Sequence, residues 1–178
     1  DYGLNAEKWQ TVIEECLQGP EVSVLTFTDG NALRPMPASM DHKRALADDR
    51  GANTGGMGAV APNPFYTPEI AARCMREIFL PTVAAMRAEG SPFKGFLYFG
   101  LMLTQDGPKV IEYNCRFGDP ETQAVLPLME SDLLDAMLAV ENGTLADADL
   151  RFSDGACACV MAVSGGYPAA YEKGKRIA

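Results

Sequence analysis

Glu112, Asn114 and Arg116 occupy every second position of the run Val110-Ile111-Glu112-Tyr113-Asn114-Cys115-Arg116. In a strand, alternate side chains share a face, so Val110, Glu112, Asn114 and Arg116 point one way. Ile111, Tyr113 and Cys115 then point the other way, into a core. Neighbours on one face stand about 7 Å apart. A carboxylate and an amide carbonyl are hard oxygen donors, of the kind that hold Mg²⁺ together with substrate phosphates. The guanidinium beyond them offers a forked donor to a phosphoryl oxygen. A solvent-facing polar stripe on an edge strand would show the same pattern. The following run, Gly118-Asp119-Pro120-Glu121-Thr122, favours the site, because a helix start beside a strand end suits an anion.

Two further runs carry chemistry. In Glu14-Glu15-Cys16-Leu17-Gln18-Gly19-Pro20-Glu21, a short apolar strand, Thr11 to Ile13, ends in acids. A tight turn then delivers Glu21 to the start of the next strand. A chain crossing between two lobes there would show the backbone of Glu15 to Leu17 to an adenine edge, with Glu21 accepting from ribose hydroxyls. An acidic surface turn is the simpler account of that pattern in isolation. The other run is Asp41-His42-Lys43-Arg44, followed by Asn53-Thr54-Gly55-Gly56-Met57-Gly58. Glycines let backbone amides come close to a phosphate, and two cations stand beside them, so the composition is that of an anion cradle. It is not a P-loop, since no Gly-Lys-Ser/Thr follows the glycines. A plain solvated loop is the alternative.

The elements that must position these groups are legible in outline. Val22 to Thr28, Asp29-Gly30-Asn31 and Leu33 to Met36 form a strand, a turn and a returning strand. Asp41 to Pro64 breaks into charge, glycine and proline and reads as a long irregular loop, rare in a compact domain without a use. Thr67-Pro68-Glu69 starts a helix with the apolar stripe Ile70, Cys74, Ile78, Val83 and Met86, which Pro81 kinks or splits. Gly95 to Leu103 is the strongest β signal, with a turn at Gln105 to Pro108 and a return over Lys109 to Asn114. A helix runs from Ser131 to Asn142 and stops at Gly143. After a polar link, Ala146 to Asp154, Ala156 to Val163 has the character of a buried strand.

Composition narrows the function. A net charge of −9 argues against general nucleic-acid binding, which needs a basic face. No run approaches the length of a membrane span, and Asp1 to Gln10 has no signal-peptide pattern. Five cysteines with irregular spacing, no CxxC pair and one histidine speak against zinc and for buried, reduced thiols in a cytoplasmic protein.

The runs Glu14 to Glu21, Met40 to Arg44, Asn53 to Gly58, Gly95 to Met102 and Val110 to Thr122 together resemble the phosphoribosylamine–glycine ligases, a family of the ATP-grasp superfamily. The resemblance covers essentially the whole chain, and Ser164-Gly165-Gly166-Tyr167-Pro168 resembles the opening of that family's C-terminal domain. It implies an α+β, ATP-grasp type fold, a largely antiparallel sheet with flanking helices. It also implies that the chain is incomplete at both ends. Residues 1–149 would be the C-terminal part of an ATP-grasp domain, and residues 150–178 the start of a small C-terminal domain. The implied activity joins glycine to 5-phosphoribosylamine at the expense of ATP, with Mg²⁺ or Mn²⁺ as cofactor, and involves neither nucleic acid nor membrane. Position by position, Glu112 and Asn114 match metal ligands, and Glu14, Glu15, Cys16 and Leu17 match the adenine-contacting hinge. Glu21 matches the ribose-binding acid. Arg116 becomes the catalytic candidate at the transferring phosphate. Asp41, His42, Lys43, Arg44, Asn53, Thr54, Gly55, Gly56, Met57, Gly58 and Asp119 become candidates for holding the substrates. Lacking an upstream glycine-rich loop and nucleotide-binding lysine, this chain is expected to be inactive alone. A sibling ATP-grasp ligase and a non-catalytic nucleotide-binding module are the competing readings.

Overall fold

The computed structural model describes residues 13–176. The strand expected over Thr11 to Ile13 therefore lies largely outside the described residues. The centre of the fold is a four-stranded antiparallel sheet in the order β2 (Leu33–Pro35), β1 (Glu21–Thr28), β7 (Gly95–Thr104), β8 (Gly107–Asn114). β1 and β7 are central and apolar on both faces, so their residues alternate between two cores. Val22, Val24, Leu97, Phe99 and Leu101 face one core with Cys74, Phe79 and Val83. Leu25, Phe27 and Tyr98 face the other, with Val125, Leu128, Ala136, Val140 and Leu145.

The first core is closed by a helix running from Pro68 to Ala88: α1 (Pro68–Cys74), a π-helical turn (Met75–Phe79) and α2 (Leu80–Ala88). Thr67 caps its start, accepting from the amide of Ile70. Pro81 does not split this helix. The wide turn just before it takes up the extra residue, and the burial pattern shifts with it. Cys74, Phe79 and Val83 are buried, whereas Met86, expected in the stripe, is exposed. The second core is covered by α3 (Glu121–Val125) and by α4 (Leu133–Asn142). α4 is capped by Asp132 and ends at Gly143, whose φ of 71° is a left-handed stop. Asp29 ties the first hairpin to this layer. Its carboxylate accepts from the amides of Asn31 (2.9 Å), Ala32 (2.7 Å) and Leu145 (3.3 Å).

The stretch from Asp41 to Pro64 is not irregular. It holds β3 (Met40–Asp41), a hairpin of β4 (Arg44–Leu46) and β5 (Arg50–Asn53), and β6 (Gly58–Ala61). β3 and β6 form a second sheet, completed by β9 (Cys157–Val160), which pairs with β6 from Gly58↔Val160 to Ala61↔Cys157. Local sequence could not reveal these strands, because each is short and the pairing that orders β6 comes from far along the chain. β9 is an edge strand and not a buried one, with Val160 85% exposed. Of the five cysteines only Cys74 is buried, and all five are free thiols.

Candidate active site

β8 is where the sequence reading is both kept and corrected. Tyr98 pairs with Asn114, Gly100 with Glu112, and then Leu101 with Val110, so Ile111 is the extra residue of a β-bulge. A bulge resets the alternation. Val110 consequently turns to the helix side with Tyr113 and Cys115, where the three line an apolar groove against Pro81 and Thr82. That side is not a closed core, since Tyr113 is 48% exposed. Glu112, Asn114 and Arg116 line a separate cleft of about 150 Å³ on the opposite side of the sheet. Gly100 makes room for the acid: a Cβ there would stand 2.9 Å from Glu112 Cγ.

The remainder of the cleft comes from Asp41, Lys43, Thr54, Gly55, Tyr98, Asp119 and Glu121. Two of these, Tyr98 and Glu121, form a buried network with Ser23. Tyr98 Oη donates to Glu121 Oε1 at 2.9 Å, Ser23 Oγ donates to the same oxygen at 3.2 Å, and the two hydroxyls lie 2.7 Å apart. Glu121 is only 4% exposed, and among the described residues no Lys or Arg pairs with it, which is rare for a buried carboxylate. Its charge is felt nearby. Burial, and then repulsion from Glu121, pushes the Asp41 carboxyl up to about 6, against the pull of Lys43. Burial pushes the Tyr98 phenol up as well, aided by Glu121. Burial would lower Lys43, but its hydrogen bond to Glu21 and the charges of Glu21, Asp41 and Glu112 outweigh this and raise it. Ser23, Tyr98 and Glu121 escaped the sequence reading. The only available signal was strand parity, which places Tyr98 on the face of Gly100 once the register with Glu112 is known.

A larger cleft of about 580 Å³ adjoins the first through Asp41 and Lys43, and is lined also by Glu21, His42, Arg44 and Asn53. Glu21 and Lys43 meet there at 2.6 Å, which sets the expected ribose acid beside the expected anion loop. Arg44 also closes the β4–β5 hairpin, donating to the Gly51 carbonyl at 3.0 Å. Glu14, Glu15, Cys16 and Leu17 line neither cleft. They run past the start of β8, where Glu15 meets Lys109 at 2.7 Å. Gly56, Met57 and Gly58 line neither cleft as well.

The glycine loop is not an open cradle of amides. Thr54 N donates to the Lys43 carbonyl at 2.8 Å and Met57 N to the His42 carbonyl at 2.8 Å. Gly56 N donates to Thr54 Oγ1 at 3.0 Å and Gly55 N to the Tyr167 hydroxyl at 3.0 Å. Four amides that composition suggested for a phosphate are spent inside the fold. Asp119 is likewise engaged, accepting from Gln123 at 2.6 Å. The cations that line the cleft are side chains, Lys43 and Arg116. Arg116 donates to the Phe117 carbonyl at 2.9 Å and reaches toward Asn114 Oδ1 at 3.5 Å.

The donors suit a hard divalent cation. Glu112 and Asn114 offer a carboxylate and a carbonyl on one side of β8, and Gly100 leaves the space that a Cβ would fill. Among the described residues no three His, Cys, Asp or Glu groups meet in a metal-holding cluster. Mg²⁺ that is shared with phosphates takes one or two protein carboxylates and completes its shell with the substrate. The site fits that kind of binding.

Comparison with known proteins identifies the fold and the family. In solved structures the fold recurs in an L-amino acid ligase from Bacillus licheniformis, with a TM-score of 0.57 over 84% of this chain and 37% of that one at 16% identity. It recurs more closely in phosphoribosylamine–glycine ligase from Thermotoga maritima, with a TM-score of 0.79 and 34% identity over 89% of this chain and 40% of that one. The fold is thus the ATP-grasp fold. Residues 2–122 match the model of the phosphoribosylglycinamide synthetase ATP-grasp (A) domain, and the chain belongs to that family. The phosphoribosylamine–glycine ligase of Vibrio vulnificus is 52% identical over 166 residues, covering 93% of this chain and 39% of the relative. A bifunctional purine biosynthetic protein of Schizosaccharomyces pombe is 52% identical over 163 residues, covering 92% of this chain and 21% of the relative. The chain spans about two-fifths, or less, of the length of these relatives.

Proposed function

We propose that this chain is the part of a phosphoribosylamine–glycine ligase that carries the phosphoryl-transfer side of the active site. In that reading ATP phosphorylates the glycine carboxylate to give glycyl phosphate and ADP. The amine of 5-phosphoribosylamine then attacks the acyl carbon, phosphate leaves, and the amide of glycinamide ribonucleotide forms. Residues 1–149 belong to the ATP-grasp domain and 150–178 to the beginning of the next unit, with β9 reaching back to pair with β6.

The observation that carries the reading is one cleft in which Glu112, Asn114, Arg116 and Lys43 converge. The chemistry brings anions together, so charge control and positioning dominate it. Glu112 and Asn114 would hold Mg²⁺ or Mn²⁺, which when bound neutralises phosphate charge. Arg116 and Lys43 supply cations for the phosphoryl oxygens. Glu21, ion-paired with Lys43, exchanges that partner for ribose hydroxyls when the nucleotide enters, and Glu14 to Leu17 form the strap along the adenine. Asp41, His42, Arg44 and Asn53 line the adjoining cleft and receive the substrates. No helix of the described residues is long and apolar enough to cross a membrane. The reading places the protein in the cytoplasm, where thiols such as its five stay reduced.

The test is a product assay on a chain completed to the length of its relatives, supplied with glycine, 5-phosphoribosylamine and Mg-ATP. Glycinamide ribonucleotide, ADP and phosphate are expected in equal amounts. ADP formation that needs a different acid or amine would assign it to a sibling ligase. The 178-residue chain alone is expected to yield no product, and turnover by it would refute that part of the proposal.

A further inference from the structure

The hydrogen bond from Gly55 N to the Tyr167 hydroxyl joins residues 112 positions apart. It is the only one of the four loop-amide bonds whose acceptor is a side chain outside residues 41–58. Gly55 lines the cleft that holds Glu112, Asn114 and Arg116. Tyr167 therefore reaches the site through the backbone of its loop.

The segment that carries Tyr167 grips the loop at more than one point. β9 pairs with β6 from Gly58 onward, and Met161 N donates to the Met57 carbonyl at 2.9 Å. Gly58 permits the approach, since a Cβ there would lie 2.2 Å from the Cys159 carbonyl oxygen. Beyond β9 the chain turns back on itself, with Tyr167 N donating to the Ser164 carbonyl at 3.1 Å. The turn needs Gly166, whose φ is +97° and whose Cβ would lie 2.5 Å from the Ala170 carbonyl oxygen. Tyr171 braces the Tyr167 ring edge-on, with centroids 5.5 Å apart at 68°. The hydroxyl is thus aimed by a built turn and a second aromatic ring.

We infer that Tyr167 is a positioning residue of this site: its hydroxyl fixes the Gly55 amide and so holds the Thr54–Gly55 side of the cleft at a set distance from Glu112 and Arg116. Tyr167 touches neither of those two side chains; it acts through the loop. A segment that looked like the opening of a separate unit then braces the loop that lines the cleft.

The experiment has two readings, of which only the second rests on the ligase reading above. In the 178-residue chain, amide hydrogen exchange is followed by NMR for the wild type, Tyr167→Phe and Tyr171→Phe. Removing the hydroxyl while keeping the ring is expected to speed exchange at Gly55 about tenfold, with the Leu25 amide in β1 unchanged. Tyr171→Phe is expected to leave Gly55 as it was. Unchanged exchange at Gly55 in Tyr167→Phe, or equal acceleration in Tyr171→Phe, overturns the inference. In the chain completed to the length of its relatives, Tyr167→Phe is expected to raise KM for glycine or 5-phosphoribosylamine about tenfold, with KM for Mg-ATP and kcat within about twofold. Unchanged KM values in an active enzyme overturn it as well. A completed wild-type chain that makes no amide defeats the ligase reading alone, and the exchange result still decides the role of Tyr167.

Discussion

Strand β8 and the glycine loop at residues 53–58 border the same cleft, yet they contribute to it in opposite ways. β8 presents side chains: Glu112 and Arg116 are exposed and Asn114 half-buried, all on one side of the sheet. The loop presents almost no free backbone, because its amides are consumed by Lys43, His42, Thr54 and Tyr167. The difference teaches where each kind of chemistry comes from. A strand's alternation is local geometry and survives whatever lies across from it, apart from a bulge. A loop amide is a binding group only if nothing in the fold claims it first.

That contrast can be broken most forcefully at Glu112. In the chain completed to the length of its relatives, the ligase proposal expects Glu112→Ala to cut turnover on the order of 10²-fold or more, as loss of a metal-holding carboxylate does. The urea midpoint should hardly move, since the side chain is exposed. Steady-state kinetics with near-normal turnover would end the claim that β8 supplies the chemistry.

The loop side should answer in stability. Gly58 has φ +149°, and a Cβ there would lie 2.2 Å from the Cys159 carbonyl oxygen. Gly58→Ala should therefore cost roughly 3 kcal/mol by urea denaturation, through strain and lost β6–β9 pairing. A variant as stable as the wild type would show that β9 does not depend on this close approach.

Asp41 sharpens the contrast through pH. Burial, followed by the charge of Glu121, raises its carboxyl from 3.8 to about 6 in the fold. The sign follows from linkage: its favourable contribution is full below the unfolded value and is lost as pH rises through about 6. In metal-free buffer, Asp41→Asn should gain about 2 kcal/mol on the wild type between pH 4 and pH 7.5, measured by urea titration at both. A constant difference across that window would mean that Asp41 ionises freely in the folded protein. The smallest effect is expected at Lys43, whose 2.6 Å pair with Glu21 leaves both side chains more than a third exposed. Lys43→Ala should cost no more than about 1 kcal/mol of stability, a much smaller change than its effect on nucleotide affinity in a binding titration.

Several elements were plain from the residues because their causes are local. The β7–β8 hairpin follows from two apolar runs around a short polar turn. α4 follows from the run before Gly143, and the first hairpin from Asp29-Gly30-Asn31. Other features were hidden because their causes lie at a distance. Asp41 to Pro64 looked irregular, yet β6 is ordered by β9, about a hundred residues further on. Met86 looked like part of a buried stripe until the π turn at Met75–Phe79 rotated the face.

The amino-acid sequence by itself determined the polar row at 112, 114 and 116, the family likeness, and the main strands and helices. These rest on side-chain alternation, capping and glycine freedom, which act over a few residues. Only the tertiary structure decided that Val110 leaves that row, that Ser23 and Tyr98 lock Glu121 into the cleft, and that Tyr167 claims the Gly55 amide. Each of these depends on which distant segments come to lie side by side. That choice is made by packing across the whole fold, and no short stretch of chain encodes it.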